Sequence, residues 1–410
     1  MVPRMFSFLQ FFTLFAVTLA STEETTALLK WKSTFLKQNN NSLLTSWTIS
    51  TDACRDWYGV ICFNGREAAA LLKWKATFQN QNNSLLTSWT LSHPAAAKNS
   101  SSHDPCRDWY GVNCFNGRIN RLNISNSGVI EIGKLTSLIE VDLDTNQLTG
   151  HIPPEIGNLI NAKIFYAFSN ELSGPIPAEI GKMKSLESLS LYRNNLSGPI
   201  PKALGDLTEL TILYLYSNQL SGPIPAEIGK LTSLIEVDLD TNQLTGHIPP
   251  EIGNLINAKI FYAFSNELSG PIPAEIGKMK SLESLSLYRN NLSGPIPKAL
   301  GDLTELTILY LYSNQLSGPI PAEIGKLTSL IEVDLDTNQL TGHIPPEIGN
   351  LINAKTFYAF SNELSGPIPS ELGNLNNLND LALSENQLTD TESPYQQTIW
   401  FHSKRTCIFG

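Results

Sequence analysis

Three histidines are the first residues whose type could do chemistry. His151, His247 and His343 stand 96 residues apart, each inside a Gly-His-Ile-Pro turn. Histidine titrates near neutral pH and serves as general base or metal ligand. These three, however, are one residue copied three times, with no nucleophile held beside them. The cysteines offer no better start. Cys54 and Cys62, like Cys106 and Cys114, are separated by seven residues without a nearby histidine pair, which does not match zinc spacing; Cys407 stands alone. Gly128 through Gly133-Lys134-Leu135 nearly spells a phosphate-binding loop, but Leu135 stands where a hydroxyl must reach magnesium. No glycine-rich kinase loop, His-Arg-Asp or Asp-Phe-Gly segment occurs. The chain is therefore expected to be no enzyme and to need no metal or cofactor.

Aromatic and acidic residues are what recur in register. Reading outward-facing positions turn by turn gives Glu140, Asp142 and Asp144, then Ile164, Tyr166 and Phe168, then Ser188, Ser190, Tyr192 and Arg193, then Ile212, Tyr214 and Tyr216. The series returns as Asp238 and Asp240, Tyr262 and Phe264, Tyr288, and Tyr310 and Tyr312. Aromatics held on a rigid sheet supply contact area with little conformational entropy to lose, as a peptide- or protein-binding face requires. The acidic turn beside them favours a basic or polyamine-like partner. The plainer reading is that cross-strand stacking of the rings only stabilises the sheet.

These residues are positioned by a 24-residue period that runs from about Glu131 to Leu388. Eleven times the text follows the pattern L-x-x-L-x-L-x-x-N-x-L-x-G-x-I-P, with other apolar residues at some leucine positions and the G-x-I-P lost in the last coil, and with its asparagine at Asn146 and then every 24 residues to Asn386. That is a leucine-rich-repeat solenoid. One coil cannot bury its own apolar side, so the leucines of neighbouring coils stack into a continuous core. In the first full coil Leu138, Val141, Leu143, Leu148, Ile152, Ile156 and Leu159 point inward. The alternation Val141-Asp142-Leu143-Asp144 has period two and predicts a short strand with one face on the core. Successive strands then form a parallel sheet, and the asparagines are expected to bond backbone between adjacent coils.

A higher order lies above this period. Residues Glu131–Ala226 and Glu227–Ala322 are identical over 96 positions, and a third copy runs to Ser370 with Thr356 in place of isoleucine. The surface is thus predicted to repeat every four coils. A net charge of -10 argues against a nucleic-acid partner.

The L-S-G-P-I-P runs at Leu172–Pro177, Leu196–Pro201 and Leu220–Pro225, with L-T-G-H-I-P at Leu148–Pro153, resemble plant leucine-rich-repeat proteins. The resemblance is to the extracellular part of plant receptor-like kinases and receptor-like proteins. It implies an α/β solenoid: a right-handed superhelix with a parallel β-sheet on the concave face and a second, shorter strand at each G-x-I-P segment. It also implies binding of a peptide or protein outside the cell. Ahead of the repeats stand two copies of a cap-like module, Ala27–Cys62 and Ala70–Cys114, similar to the helical, disulfide-bonded N-terminal cap of that family. The resemblance pairs Cys54 with Cys62 and Cys106 with Cys114, one of three connectivities that four cysteines permit.

Arg4 followed by the apolar run Met5–Ala20 reads as a signal peptide cleaved before Ser21. Six asparagine sequons, at Asn40, Asn82, Asn99, Asn123, Asn195 and Asn291, fit a secreted glycoprotein. The predicted organisation is a signal peptide (1–20), two cap copies (21–66 and 67–118), a shortened first repeat (119–130), eleven repeats (131–388) and an irregular tail (389–410). Neither a membrane span nor a kinase follows the repeats. The function expected is a secreted recognition module for a peptide or protein ligand, with a membrane co-receptor kinase as second partner, in defence or development. Two alternatives are an apoplastic inhibitor of a pathogen cell-wall hydrolase, resembling polygalacturonase inhibitors, and a truncated receptor copy whose last coil is exposed.

Overall fold

The structure, a computed structural model, describes residues 112–115, 118–123, 136–389 and 405–407. Of these, 112–123 and 405–407 are described by their backbone alone. The signal segment, Cys54, Cys62, Cys106, Asn40, Asn82, Asn99 and residues 390–404 lie outside the described residues. Two compact units divide the chain, Met1–Leu143 and Asp144–Gly410.

In the first unit the strand Val112–Phe115, which includes Cys114, pairs antiparallel with Arg118–Asn123. Arg118–Asn123, which includes the sequon residue Asn123, then pairs in parallel with Glu140–Asp142, placing Leu122 opposite Val141. The shortened first repeat thus supplies a strand.

The second unit is the repeat array. Each coil contributes a three-residue strand such as Ile164–Tyr166, in which the middle side chain is buried and its neighbours face out. From Ile164–Tyr166 to Asp380–Ala382 each strand pairs in parallel with the next. Residues 24 apart are opposite one another throughout. Arg405–Cys407 then pairs with Asp380–Ala382, so the last coil, expected to stand exposed, has a backbone partner. A second ladder of short strands runs along the flank, from Thr149–Gly150 to Gln387–Thr389.

The convex side of each coil is a five-residue 3-10 turn that starts after the proline of the I-P pair, as in Ala226–Lys230. Proline presets the extended entry, and the segment is too short for α-helix. The helical part of the expected α/β solenoid therefore consists of 3-10 turns. Gly229 shows how closely these stack: a Cβ there would lie 2.3 Å from the carbonyl oxygen of Glu251 in the next coil.

Packing follows the leucine pattern. Leu210, Leu213, Leu215, Leu220, Ile228 and Leu231 are each 0% exposed. The asparagines close the strand-to-flank turn. Asn290 accepts from the Leu268 amide at 3.0 Å with Oδ1, and its Nδ2 donates to the Ala263 and Leu287 carbonyls, each at 3.0 Å. Asn194 repeats this with Leu172, Ala167 and Leu191. The residue before each asparagine is left-handed, with φ near 50° even at Thr241 and Thr337. That conformation, costly for a β-branched residue, turns the Thr241 amide onto the Phe264 carbonyl of the next coil at 3.0 Å.

Replacing Asn290 by alanine leaves one buried donor and two acceptors without this partner. The expected loss is about 3 kcal/mol, read as a lowered urea midpoint, against little change for Gln315→Ala on the exposed flank.

Candidate recognition surface

Side chains of the long sheet that face away from the core form rows along the array, one residue per coil. The outermost row reads Asp144, Phe168, Tyr192, Tyr216, Asp240, Phe264, Tyr288, Tyr312, Asp336, Phe360. Strand spacing of about 4.8 Å brings flat rings into stacking distance, and the structure stacks them. Phe168 and Tyr192 lie 4.4 Å apart at 9°, and Tyr192 and Tyr216 4.3 Å apart at 7°. The second triad repeats this, with Phe264–Tyr288 at 4.3 Å and 11° and Tyr288–Tyr312 at 4.3 Å and 8°. Each offset pair adds about 0.5–1.5 kcal/mol beyond its buried area. Arg193 and Arg289 each place the guanidinium 5.9 Å from the ring centre of the preceding tyrosine.

The row beside it reads Tyr166, Ser190, Tyr214, Asp238, Tyr262, Ser286, Tyr310, Asp334, Tyr358. Tyr214 and Tyr310 meet the outer rings edge-on, at 6.1 Å from Tyr216 and 6.2 Å from Tyr312. Their hydroxyls donate to the carboxylates of Glu236 and Glu332. Tyr262 shares a 3.0 Å hydrogen bond with Ser284, and Ser188 donates to Tyr166 at 3.2 Å. All these bonds join residues 22 apart, the diagonal of the 24-residue register. That diagonal was available in the sequence, but side-chain reach across it was not.

The structure brings most of the predicted binding residues together on one face of the second unit. Glu140 and Asp142 belong to the first unit, whereas Asp144 begins the second. Two details differ from a fully open face. Asp240 and Asp336 are only 8% and 7% exposed, sunk between ring walls. Ser188 and Ser190, outward-facing by alternation, are buried under tyrosines, and the hydroxyls of Ser190 and Ser286 have no hydrogen-bond partner. His151, His247 and His343 pack over Gly174, Gly270 and Gly366 of the following coil, and so fill space on the flank. Asn195 and Asn291 are exposed at the start of flank strands. Among the described residues no group of His, Cys, Asp or Glu is placed to hold a metal, and no helix is long and apolar enough to cross a membrane.

Electrostatics on the face are shaped by partial burial. Burial, then the neighbouring Asp240 carboxylate, holds the Asp238 carboxyl well above the usual carboxylate range. Asp334 is raised chiefly by burial, with Asp336 beside it. Burial pushes Tyr216 up to about 12. Burial and the hydrogen bonds to Glu236 and Glu332 raise Tyr214 and Tyr310 further, so both remain donors.

Comparison with known proteins decides the family. A leucine rich repeat N-terminal domain matches at 21–63 and again at 64–115. The leucine rich repeat itself matches seven times between 137 and 351, and the two together cover more than half of the chain. The chain belongs to the leucine-rich-repeat family. Among curated relatives, the MDIS1-interacting receptor like kinase 2 of Arabidopsis thaliana is 42% identical over 146 residues, which is 34% of this chain and 9% of the relative. The chain thus spans only a small part of the curated relatives it matches. Among solved structures, the Arabidopsis receptor kinase HAESA, in complex with the peptide hormone IDA and the co-receptor SERK1, superposes with a TM-score of 0.67 at 29% identity. That match covers 79% of this leucine-rich-repeat chain and 54% of HAESA. The PEPR1 structure with AtPEP1 gives 0.64 at 32% identity, over 84% and 55%. The repeat array therefore shares the solenoid fold of these receptor structures.

Asp238 and Asp334 bind protons more tightly folded than unfolded, so the stability they lend is complete below the ordinary carboxylate range and is lost as pH rises. The denaturation midpoint is expected to fall from about pH 4 to neutrality. Asp238→Asn with Asp334→Asn should flatten that slope.

Proposed function

We propose that this chain is a secreted, non-catalytic recognition module that holds a peptide or protein ligand on the outward face of its long sheet. A membrane co-receptor kinase is its second partner. The single observation that carries this reading is the pair of stacked aromatic triads, Phe168–Tyr192–Tyr216 and Phe264–Tyr288–Tyr312, bounded by carboxylates on the same row. If sheet stability were the whole purpose, burying the rings would serve better; these remain partly exposed beside Glu236 and Asp238. HAESA, solved in complex with the peptide hormone IDA and the co-receptor SERK1, supports the same use of a similar solenoid. Rings on a preordered backbone lose little entropy on binding, and the net charge of -10 favours encounter with a cationic partner. The cysteine pairs Cys54–Cys62 and Cys106–Cys114 belong to this reading as cap disulfides in an oxidising compartment.

Panning a library of random 12-residue peptides against the secreted chain tests it. Selected peptides should be rich in Lys and Arg, and should bind at least tenfold more weakly to Tyr192→Ala combined with Tyr288→Ala. Unchanged binding to that variant moves recognition off this face. Inhibition of a cell-wall polygalacturonase by the intact chain would assign the inhibitor role instead. After expression in a plant secretory host, glycosidase treatment is expected to lower the mass of tryptic peptides bearing Asn195 and Asn291.

A further inference from the structure

Among the described residues, two pairs of tyrosines stack face to face. Tyr192 and Tyr216 lie with ring centroids 4.3 Å apart at 7°, and Tyr288 and Tyr312 4.3 Å apart at 8°. All four rings are partly exposed. Their roots cannot drift apart, because backbone hydrogen bonds tie the two strands on both sides of each pair. The Leu191 amide donates to the Tyr214 carbonyl at 2.8 Å and the Arg193 amide to the Tyr216 carbonyl at 3.0 Å. Leu287 and Arg289 do the same with Tyr310 and Tyr312, at the same distances. Nearly parallel rings rooted on adjacent strands set the carbons beside one phenol oxygen alongside those of the other. The remaining rings lack this arrangement. Phe168 and Phe264 complete each stack but carry no hydroxyl. Tyr214 and Tyr310 meet the stacks edge-on, at 67° and 68°, with their hydroxyls engaged by Glu236 and Glu332. In the third copy Phe360 is followed 24 residues on by Ser384, so no such tyrosine pair forms.

We propose that each pair is a site of oxidative coupling, at which a peroxidase-type one-electron oxidant fed by hydrogen peroxide joins Tyr192 to Tyr216, and Tyr288 to Tyr312, as dityrosine. Each phenol loses its hydroxyl hydrogen, as one electron and one proton, and becomes a phenoxyl radical with unpaired density on the carbons ortho to oxygen. Two radicals form one ortho carbon–carbon bond, and the hydrogen on each bonded carbon moves to the oxygen of its own ring, restoring both phenols. The two electrons and two protons released reduce one hydrogen peroxide to two waters. Radical coupling in solution waits on encounter; here the partner is held in contact, so the bimolecular step becomes intramolecular. The rings must tilt from stacked to edge-joined, which their partial exposure permits. Each link spans one full coil, since the joined residues are 24 apart, and ties neighbouring strands across the sheet face. A cross-link that closes such a loop constrains the unfolded chain and so stabilises the array. Coupling follows from ring geometry and is independent of what the face binds.

The test treats the full secreted chain, at high dilution, with a haem peroxidase and a small molar excess of hydrogen peroxide. Dityrosine is quantified by its fluorescence and located by mass spectrometry of tryptic peptides. Two links per chain are expected, one for each stacked pair, in material that still migrates as a monomer under denaturing conditions. They should join the peptides that end at Arg193 and Arg289 to those that begin after Lys202 and Lys298. Tyr192→Phe with Tyr288→Phe keeps the rings but removes the phenols, and should lower the dityrosine yield by roughly tenfold; Tyr192→Phe alone should halve it. Tyr214→Phe with Tyr310→Phe should leave it unchanged. Circular dichroism checks that each variant is folded. Oxidation is expected to raise the urea midpoint of the parent chain but not that of Tyr192→Phe with Tyr288→Phe, and an unmoved midpoint overturns the stabilising role of the links. Absence of dityrosine, links only between chains, or a yield that survives Tyr192→Phe with Tyr288→Phe overturns the coupling sites themselves.

Discussion

One side-chain interaction underlies the second unit: the asparagine that ends each strand and binds backbone in two coils at once. The Asn194 side chain accepts from Leu172 of the preceding coil and donates to Ala167 and Leu191, one carbonyl on each side of the coil boundary. Buried backbone groups at a turn must find partners or cost free energy comparable to a lost hydrogen bond. Satisfying them with a side chain fixes where the strand stops and where the flank strand begins. Each coil is thereby registered on its neighbour at a constant 24 residues. The apolar core supplies most of the driving force for stacking, but it does not by itself set that register.

Constant register gives the sheet face its chemistry. Rings at equivalent positions of adjacent coils are held close to the strand spacing, so they stack nearly parallel whatever their identity, as Phe168, Tyr192 and Tyr216 do. Side chains one step along the strand meet the next coil diagonally, which brings the Tyr214 hydroxyl to Glu236. Carboxylates placed among rings lose water, and this burial raises Asp238 and Asp334. A face of oriented rings and partly desolvated acids is thus a consequence of a scaffold rule applied to particular residues. The lateral ion pairs, such as Lys259–Glu283 with side chains about half exposed, add little by comparison.

The sequence disclosed the architecture because the period is long, unbroken and chemically redundant. The inward leucines, the parallel sheet and the bonding role of the asparagines follow from spacing, and each of these takes the predicted place in the array; the flank strand was implied by the family resemblance, and it ends at the glycine of the G-x-I-P segment, as in Glu171–Gly174, with four residues against three in the main strand Ile164–Tyr166. The outward row was legible for the same reason, since alternation fixes which side a residue faces. What the spacing did not disclose depends on side-chain reach and on backbone handedness. Ser190 faces outward by alternation yet is 2% exposed, because tyrosines on neighbouring strands cover it. The left-handed residue before each asparagine is Thr, Ser, Arg or Glu, types that give no hint of positive φ. At the end of the array, the pairing of Arg405–Cys407 with Asp380–Ala382 crosses a segment in which the period is lost, so no pattern pointed to it.

The asparagine ladder orders the outward face of the sheet before any ligand arrives. Native-state amide hydrogen exchange of the unliganded chain measures that directly. The amides of Leu172, Leu196, Leu220, Leu244, Leu268 and Leu292, each bonded to an asparagine of the next coil, should exchange as slowly as those of the core strands. Exchange of these amides at the rate of an open loop, with protection appearing only when a ligand is added, would contradict it.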